Sequence, residues 1–326
     1  MYNHYPLSHS SKINLYPVEL ISIENLVVED QNLGPASKEL LEESMNNWSK
    51  ALGDNLTFAL KLADLERNSH QMVFNNNGLM EEFSSLKTIK DIESFSIKYG
   101  LLGIKHPENT QVNSHSPAIK ATLQPSIIFT KYDLSVFEPI ELWQWHINEV
   151  RKIMRLYHTA RQANSDELLY EVIEIQMHSG MFGSLAEDRE LTQRYFVHWT
   201  NGEVILMLPH EYEENSILDI ARYTLAKILE SRISGGINLG PGEVISQSST
   251  KEFIIAEQRY SNYLLAAIYY DLWQTINNSK NIYLCENKNC QLPFVKSGRK
   301  KYCNEACKQE AYRIRLTEEN NKGKSK

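Results

Sequence analysis

The chain has 326 residues, 42% hydrophobic and 23% charged, with a net charge of −7. That composition is ordinary for a soluble globular protein, and a chain this long buries a sizeable core without staples. It excludes a miniprotein held by disulfides, and the N-terminus lacks the basic-then-apolar pattern of a secretory signal.

In chain order, the first strong helical pattern is 37–52, with Leu41, Met45, Trp48 and Leu52 at helical spacing behind Ser37 as cap. Residues 88–99 repeat it. Thr88 and Asp91 suggest a capping box, Ile92, Phe95 and Tyr99 form the stripe, and Gly100 ends it. The stretch 105–126, rich in Asn, Ser, His and Pro, reads as a loop or irregular hairpin. A long helix is expected over 139–163, with Trp143, Ile147, Val150, Met154 and Tyr157 on one face, and a short one over 166–178.

The period then changes. Tyr195–Trp199 and Glu203–Leu208 are β-rich runs around Asn201-Gly202, the strongest short hairpin signal, because both turn residues reach positive φ. Ser216 with Asp219 opens a helix over 217–233, and Gly235-Gly236 stop it. A second short strand pair is expected within 244–255 and a last body helix over 260–278. The longest notable apolar run, Tyr263–Tyr270, is far short of a membrane span.

No cysteine precedes position 285; then four fall as Cys-x4-Cys-x12-Cys-x3-Cys, at Cys285, Cys290, Cys303 and Cys307. In an intracellular chain such clustering points to a metal rather than to disulfides. Four thiolates at tetrahedral geometry suit one structural Zn²⁺, and an iron–sulfur cluster is the other centre that takes four cysteines. The polar turn between Cys285 and Cys290 reads as a knuckle and Ser297-Gly298-Arg299 as a hairpin turn. Residues 304–319 read as a helix capped by Asn304. A knuckle, a hairpin and a helix carrying the second pair make a treble-clef-like module that depends on its metal to fold. The tail from residue 320 to 326 reads as disordered.

Charge is uneven along the chain. Cys285–Lys326 carries 11 Lys and Arg against 5 Asp and Glu, a net +6, which leaves −13 on residues 1–284. A basic end on an acidic body hints at a polyanion partner. Arg313 and Arg315, with Tyr312, are candidates for phosphate contact, and so are Arg299, Lys300, Lys301 and Lys308. A Zn(Cys)₄ centre has formal charge −2, so Arg299, Lys300, Lys301 and Lys308 have a second reading as its counter-charge.

The string Cys-x4-Cys-x3-Phe followed by Arg-Lys-Lys-Tyr-Cys-Asn-x2-Cys-Lys-x2-Ala-Tyr-Arg-x-Arg resembles the CGNR-type zinc finger at the C-terminus of bacterial regulator-like proteins. Ser94–Leu102, the hairpin with Pro209, and Tyr263–Ile276 are similar to the layout of those proteins. The likeness is specific over 260–316. It departs at the tripeptide after the last cysteine, where Lys308-Gln309-Glu310 stand in place of Gly-Asn-Arg. The resemblance implies a bacterial, cytoplasmic, DNA-binding transcription regulator.

No His-Glu-x-x-His, Gly-x-Ser-x-Gly, Walker or Gly-x-Gly-x-x-Gly motif occurs, so no catalytic site is expected. His146, beside Trp143 and Trp145, reads as a buried helix histidine, with a pocket as the sharper alternative. The 17 Tyr and 5 Trp read as core, with an effector pocket as the alternative. The expectation is therefore an α+β, mainly α protein. A helical body over 1–280 would sense a small-molecule effector or form a homodimer, and a Cys₄ zinc finger over 281–319 would bind double-stranded DNA. A zinc-stabilised protein-interaction module without nucleic-acid binding is the competing reading.

Overall fold

The computed structural model describes residues 5–6, 11–15, 17–30, 35–63, 70–74, 78–105, 132–133, 137–162, 165–180, 192–213, 215–246 and 253–323. The fold is α+β and mainly α. The described helices are α1 (Ile23–Asp30), α2 (Pro35–Leu52), α3 (Leu79–Ser85), α4 (Ile89–Tyr99) and α5 (Ile140–Ala160). They continue with α6 (Ser165–Leu169), α7 (Ile217–Ile233), α8 (Leu264–Asn277) and α9 (Glu305–Gly323). Small antiparallel sheets lie between them. β3 (Val18–Ser22), β4 (Phe58–Leu62) and β6 (Phe137–Pro139) form one. β7 (Ile173–Gly180), β8 (Thr192–Trp199) and β9 (Val204–Met207) form a second. β10 (Ile237–Ser246) pairs with β11 (Phe253–Ser261), which also pairs with β1 (Tyr5–Pro6), while β2 (Ser11–Leu15) pairs with β5 (His70–Phe74). β12 (Ile282–Leu284) pairs with β13 (Pro293–Val295).

Where local chemistry specifies an element, sequence and structure agree. Thr88 and Asp91 form the reciprocal capping box of α4, and Gly100 caps its end. Ser216 accepts from the Asp219 N–H at the start of α7. Gly202, at φ +89°, turns β8 into β9 where the hairpin is expected, but Asn201 does not share the positive φ expected of both turn residues, and the Gly202 N–H returns to the Trp199 carbonyl. α2 starts at Pro35, two residues before the expected Ser37 cap, in the first-turn position that proline favours.

The expected helix over 166–178 is corrected. α6 ends at Leu169 and β7 follows, because Ile173, Ile175 and Met177 alternate with Glu174, Gln176 and His178 at the strand period of two. The strand pair expected over 244–255 is longer on both sides, as β10 and β11, and α8 begins only at Leu264. The expected loop at 105–126 lies, from residue 106 onward, outside the described residues. Residues 320–323, expected to be disordered, continue α9, and 324–326 lie outside the described residues.

α8 is apolar on every side and is buried from Leu264 through Leu272, so it runs through the core rather than along it. α3 and α7 both pack against α8, and α5 packs on the same two helices, burying Trp143, Ile147, Val150, Ile153, Met154 and Leu156. Trp48 and Trp143 are fully buried core residues. His146 is also fully buried, with Nδ1 3.3 Å from the Tyr269 hydroxyl, as a buried helix histidine is expected to sit. At the start of α5 the buried Glu138 carboxylate accepts the N–H groups of Leu102, Gly103 and Ile104 and the Trp143 indole N–H. That segment needs a glycine, since Gly103 has φ +83° and a Cβ there would sit 2.7 Å from the Tyr263 ring.

Two further contacts place the module described next. Asp271 of α8 accepts the Met80 N–H at 2.9 Å, capping α3, whose own N-cap Gly78 has no side chain to do so. Arg151 of α5 donates to the Ser84 and Leu86 carbonyls at the other end of α3. α3 and the turn after it are thus fixed at both ends.

Candidate metal centre

β12 and β13 are the stem of a knuckle. Ile282 stands opposite Val295 and Leu284 opposite Pro293, so the chain must reverse between Cys285 and Cys290. The fully buried Asn287 organises that reversal. Its carbonyl accepts the N–H groups of Cys290 and Gln291, and its side-chain Oδ1 accepts the Asn289 N–H. Gln291 takes φ +47°, a left-handed residue at the knuckle's exit. After β13 the chain turns at Gly298, φ +57°, and Asn304 Oδ1 accepts the Cys307 N–H at 2.8 Å, capping α9 as the sequence suggests. Phe294 packs with the buried Cys285 and Cys307, and the half-buried Tyr302 packs against them.

The four sulfurs, of Cys285, Cys290, Cys303 and Cys307, lie within 4.8 Å of one another. Cys290 Sγ is 3.6 Å from Cys303 Sγ, which is 3.4 Å from Cys307 Sγ. These separations exceed a disulfide bond and are close to the about 3.8 Å edge of a tetrahedral metal–thiolate shell with bonds of about 2.3 Å. The cluster can hold a metal ion, and its donors fit one. The Cys303 N–H also points at Cys285 Sγ, at 3.5 Å.

Burial pushes the Cys303 thiol well up, reinforced by hydrogen bonds with Cys307 and Cys290. Burial also raises Cys307. At Cys290 burial is outweighed by the Leu292 N–H, the neighbouring thiols and the Lys87 ammonium, and the net shift is down.

Three features of this site are not legible in the sequence. Glu310 of α9 accepts from Asn287 Nδ2 and Asn289 Nδ2, each at 2.8 Å, and so ties the helix to the knuckle. Lys87, in the turn between α3 and α4, places Nζ 3.9 Å from Cys290 Sγ. Arg151 faces Cys290 across a cleft of about 450 Å³ that Arg155, Lys152 and Gln291 also line. A second cleft, about 730 Å³, lies on the other side of the module between α3, α4 and β13.

The predicted cations are not gathered on one face. Lys300 pairs with Glu81 of the body at 3.8 Å and lies over the Phe294 ring. Lys301 pairs with Glu286 at 3.3 Å and Lys308 with Glu305 at 3.0 Å. Arg299, Arg313 and Arg315 are exposed, and Arg315 donates to the Ala311 carbonyl. Residues two apart on a helix point about 200° away from each other. Arg313 and Arg315 therefore flank, from opposite sides, the exposed Tyr312 and Leu316.

No family model, no curated protein and no solved structure matches the chain. Among the described residues no helix is long and apolar enough to cross a membrane.

Proposed function

We propose that the four cysteines hold one structural Zn²⁺ and that the module they build binds double-stranded DNA, as the resemblance to the CGNR-type finger of bacterial regulators suggests. The observation that carries this reading is α9. It rises from the metal centre and, after Ala311, presents Tyr312 and Leu316 to solvent with an arginine on either flank. A helix with that section fits a groove, its arginines reaching phosphates on the two walls. Arg299 on the hairpin turn adds a third exposed cation, while Lys300, Lys301 and Lys308 contribute less, being paired with carboxylates. The body is then a scaffold that senses a ligand or dimerises.

Titrating a labelled duplex at two salt concentrations tests this. The log–log salt slope should be roughly −0.9 per phosphate neutralised. Arg299→Ala with Arg313→Ala and Arg315→Ala should weaken binding to all sequences alike and flatten the slope, whereas Lys301→Ala should change little. If wild type and the triple variant bind equally at low salt, the DNA reading is wrong. The exposed Tyr312–Leu316 stripe would then support the second reading, a protein-interaction module, whose binding is insensitive to salt and lost on Leu316→Ser.

A further inference from the structure

We infer that the helical body completes the metal centre, with Lys87 and Arg151 supplying its counter-charge, so that metal occupancy and the seating of the module on α3 and α5 are coupled. The inference rests on the zinc reading above and goes beyond it, because a finger of this size is otherwise self-contained.

The argument begins with charge. Four thiolates around Zn²⁺ leave a formal −2 that nearby cations stabilise. Three of the module's lysines are paired with carboxylates, Lys300 with Glu81, Lys301 with Glu286 and Lys308 with Glu305. The body, although residues 1–284 carry a net −13, sends a cation to the sulfurs. Lys87 Nζ lies 3.9 Å from Cys290 Sγ. The same ammonium also favours the charged forms of Asp91 and Glu310, though weakly.

Arg151 fixes that geometry. Its guanidinium donates to the carbonyls of Ser84 and Leu86, the residues leading into Lys87, and to Asn148 Oδ1, while sharing a cleft with Cys290. One side chain thus positions the lysine and adds its own charge to the same sulfur.

The rest of α5 holds the module down. Arg155 reaches Gln291, beside Cys290, at 3.5 Å. His158 Nδ1 donates to the Ile282 carbonyl at 2.6 Å, and Arg161 donates to the Ser279 and Lys280 carbonyls. Ile282 itself is buried in the main core. A knuckle emptied of metal would lose the charge that Lys87 and Arg151 face and would strain this seat.

The test uses the full chain. Zinc content is measured as isolated, then zinc release to a coloured chelator is timed for wild type, Lys87→Glu, Lys87→Met and Lys87→Arg, with circular dichroism as the control for folding. Outer-shell partners of metal ligands typically set affinity by about ten- to a hundredfold. Lys87→Glu and Lys87→Met should release zinc at least about tenfold faster, and Lys87→Arg should restore retention. In wild type, chelation should raise amide exchange in 78–87 and 148–158 as well as in 282–316. A metal-bearing wild type whose Lys87→Glu variant releases zinc at the same rate would overturn the counter-charge assignment. Exchange confined to 282–316 would overturn the coupling. A wild type isolated folded and without metal would overturn the zinc reading, and this inference with it.

Discussion

Asn287 and Glu310 hold the two halves of the metal centre together: the buried asparagine amide donates to the glutamate at 2.8 Å, joining the knuckle that carries Cys285 and Cys290 to the helix that carries Cys307. Glu310 follows the last cysteine, Cys307, by three positions, less than one helical turn along α9. In this chain that position braces the fold of the module.

Asn287→Ala should therefore loosen the centre although it removes no ligand. It deletes the donor to Glu310 and the acceptor of the Asn289 N–H together. Zinc release to a chelator should quicken by about tenfold or more, the usual reach of second-shell partners. Glu310→Gln, which keeps an acceptor oxygen, should fall between wild type and Asn287→Ala. Equal release rates in all three proteins would show that the clasp is incidental.

One zinc per chain should be found by elemental analysis, in a colourless protein. Cys303 stands between two other ligands, 3.6 Å from Cys290 and 3.4 Å from Cys307, so Cys303→Ser should abolish binding rather than weaken it. A brown protein carrying iron and sulfide, or a metal-free protein with α9 formed, would overturn the assignment.

What the sequence shows and hides follows from the range of the interactions. The caps of α4 and α7 and the Asn201-Gly202 hairpin depend on residues a few positions apart and are legible as written. The gathering of the four cysteines is legible too, because the knuckle and the helix start fix their spacing. β2 and β5 are not, since Ser11–Leu15 finds its partner at His70–Phe74. Nor is Lys87, which lies 203 positions before the sulfur it faces. Nor are the roles of Arg151, His158 and Arg161 on α5, which reach carbonyls of other elements far away in the chain.

The pair Glu149–Arg232, 3.2 Å apart with both side chains about nineteen-twentieths buried, links α5 to α7 beneath the Trp145 ring. Removing one partner of such a pair strands a buried charge and costs about 3–5 kcal/mol, whereas replacing both by apolar groups is far milder. Glu149→Leu should thus lower the urea midpoint strongly, and adding Arg232→Met should recover much of the loss. A double variant as unstable as the sum of its singles would show that the pair is not coupled.

Glu138 should give the fold a distinctive pH dependence. Burial pushes its carboxyl up to about 7 from an ordinary 4.5, although the Leu102, Gly103 and Ile104 N–H groups and the Trp143 indole pull the other way. Between those two values the native protein holds a proton that the unfolded chain has released. Folding then binds protons, so this residue's contribution is fully present below about pH 4.5 and is lost as pH rises through about 7. Asp271, pushed by burial to about 6, acts with the same sign over a lower window. His146 acts with the opposite sign, because its burial holds the imidazole neutral well below the usual range. The whole-protein profile therefore mixes signs, and the difference between wild type and Glu138→Gln isolates the carboxyl. The glutamine cannot ionise, so the advantage of wild type over the variant should shrink by on the order of 2–3 kcal/mol between pH 4.5 and pH 8. Urea titrations of both proteins at those two pH values measure it. An advantage that stays constant with pH would mean that the four N–H donors already hold Glu138 ionised in the native state.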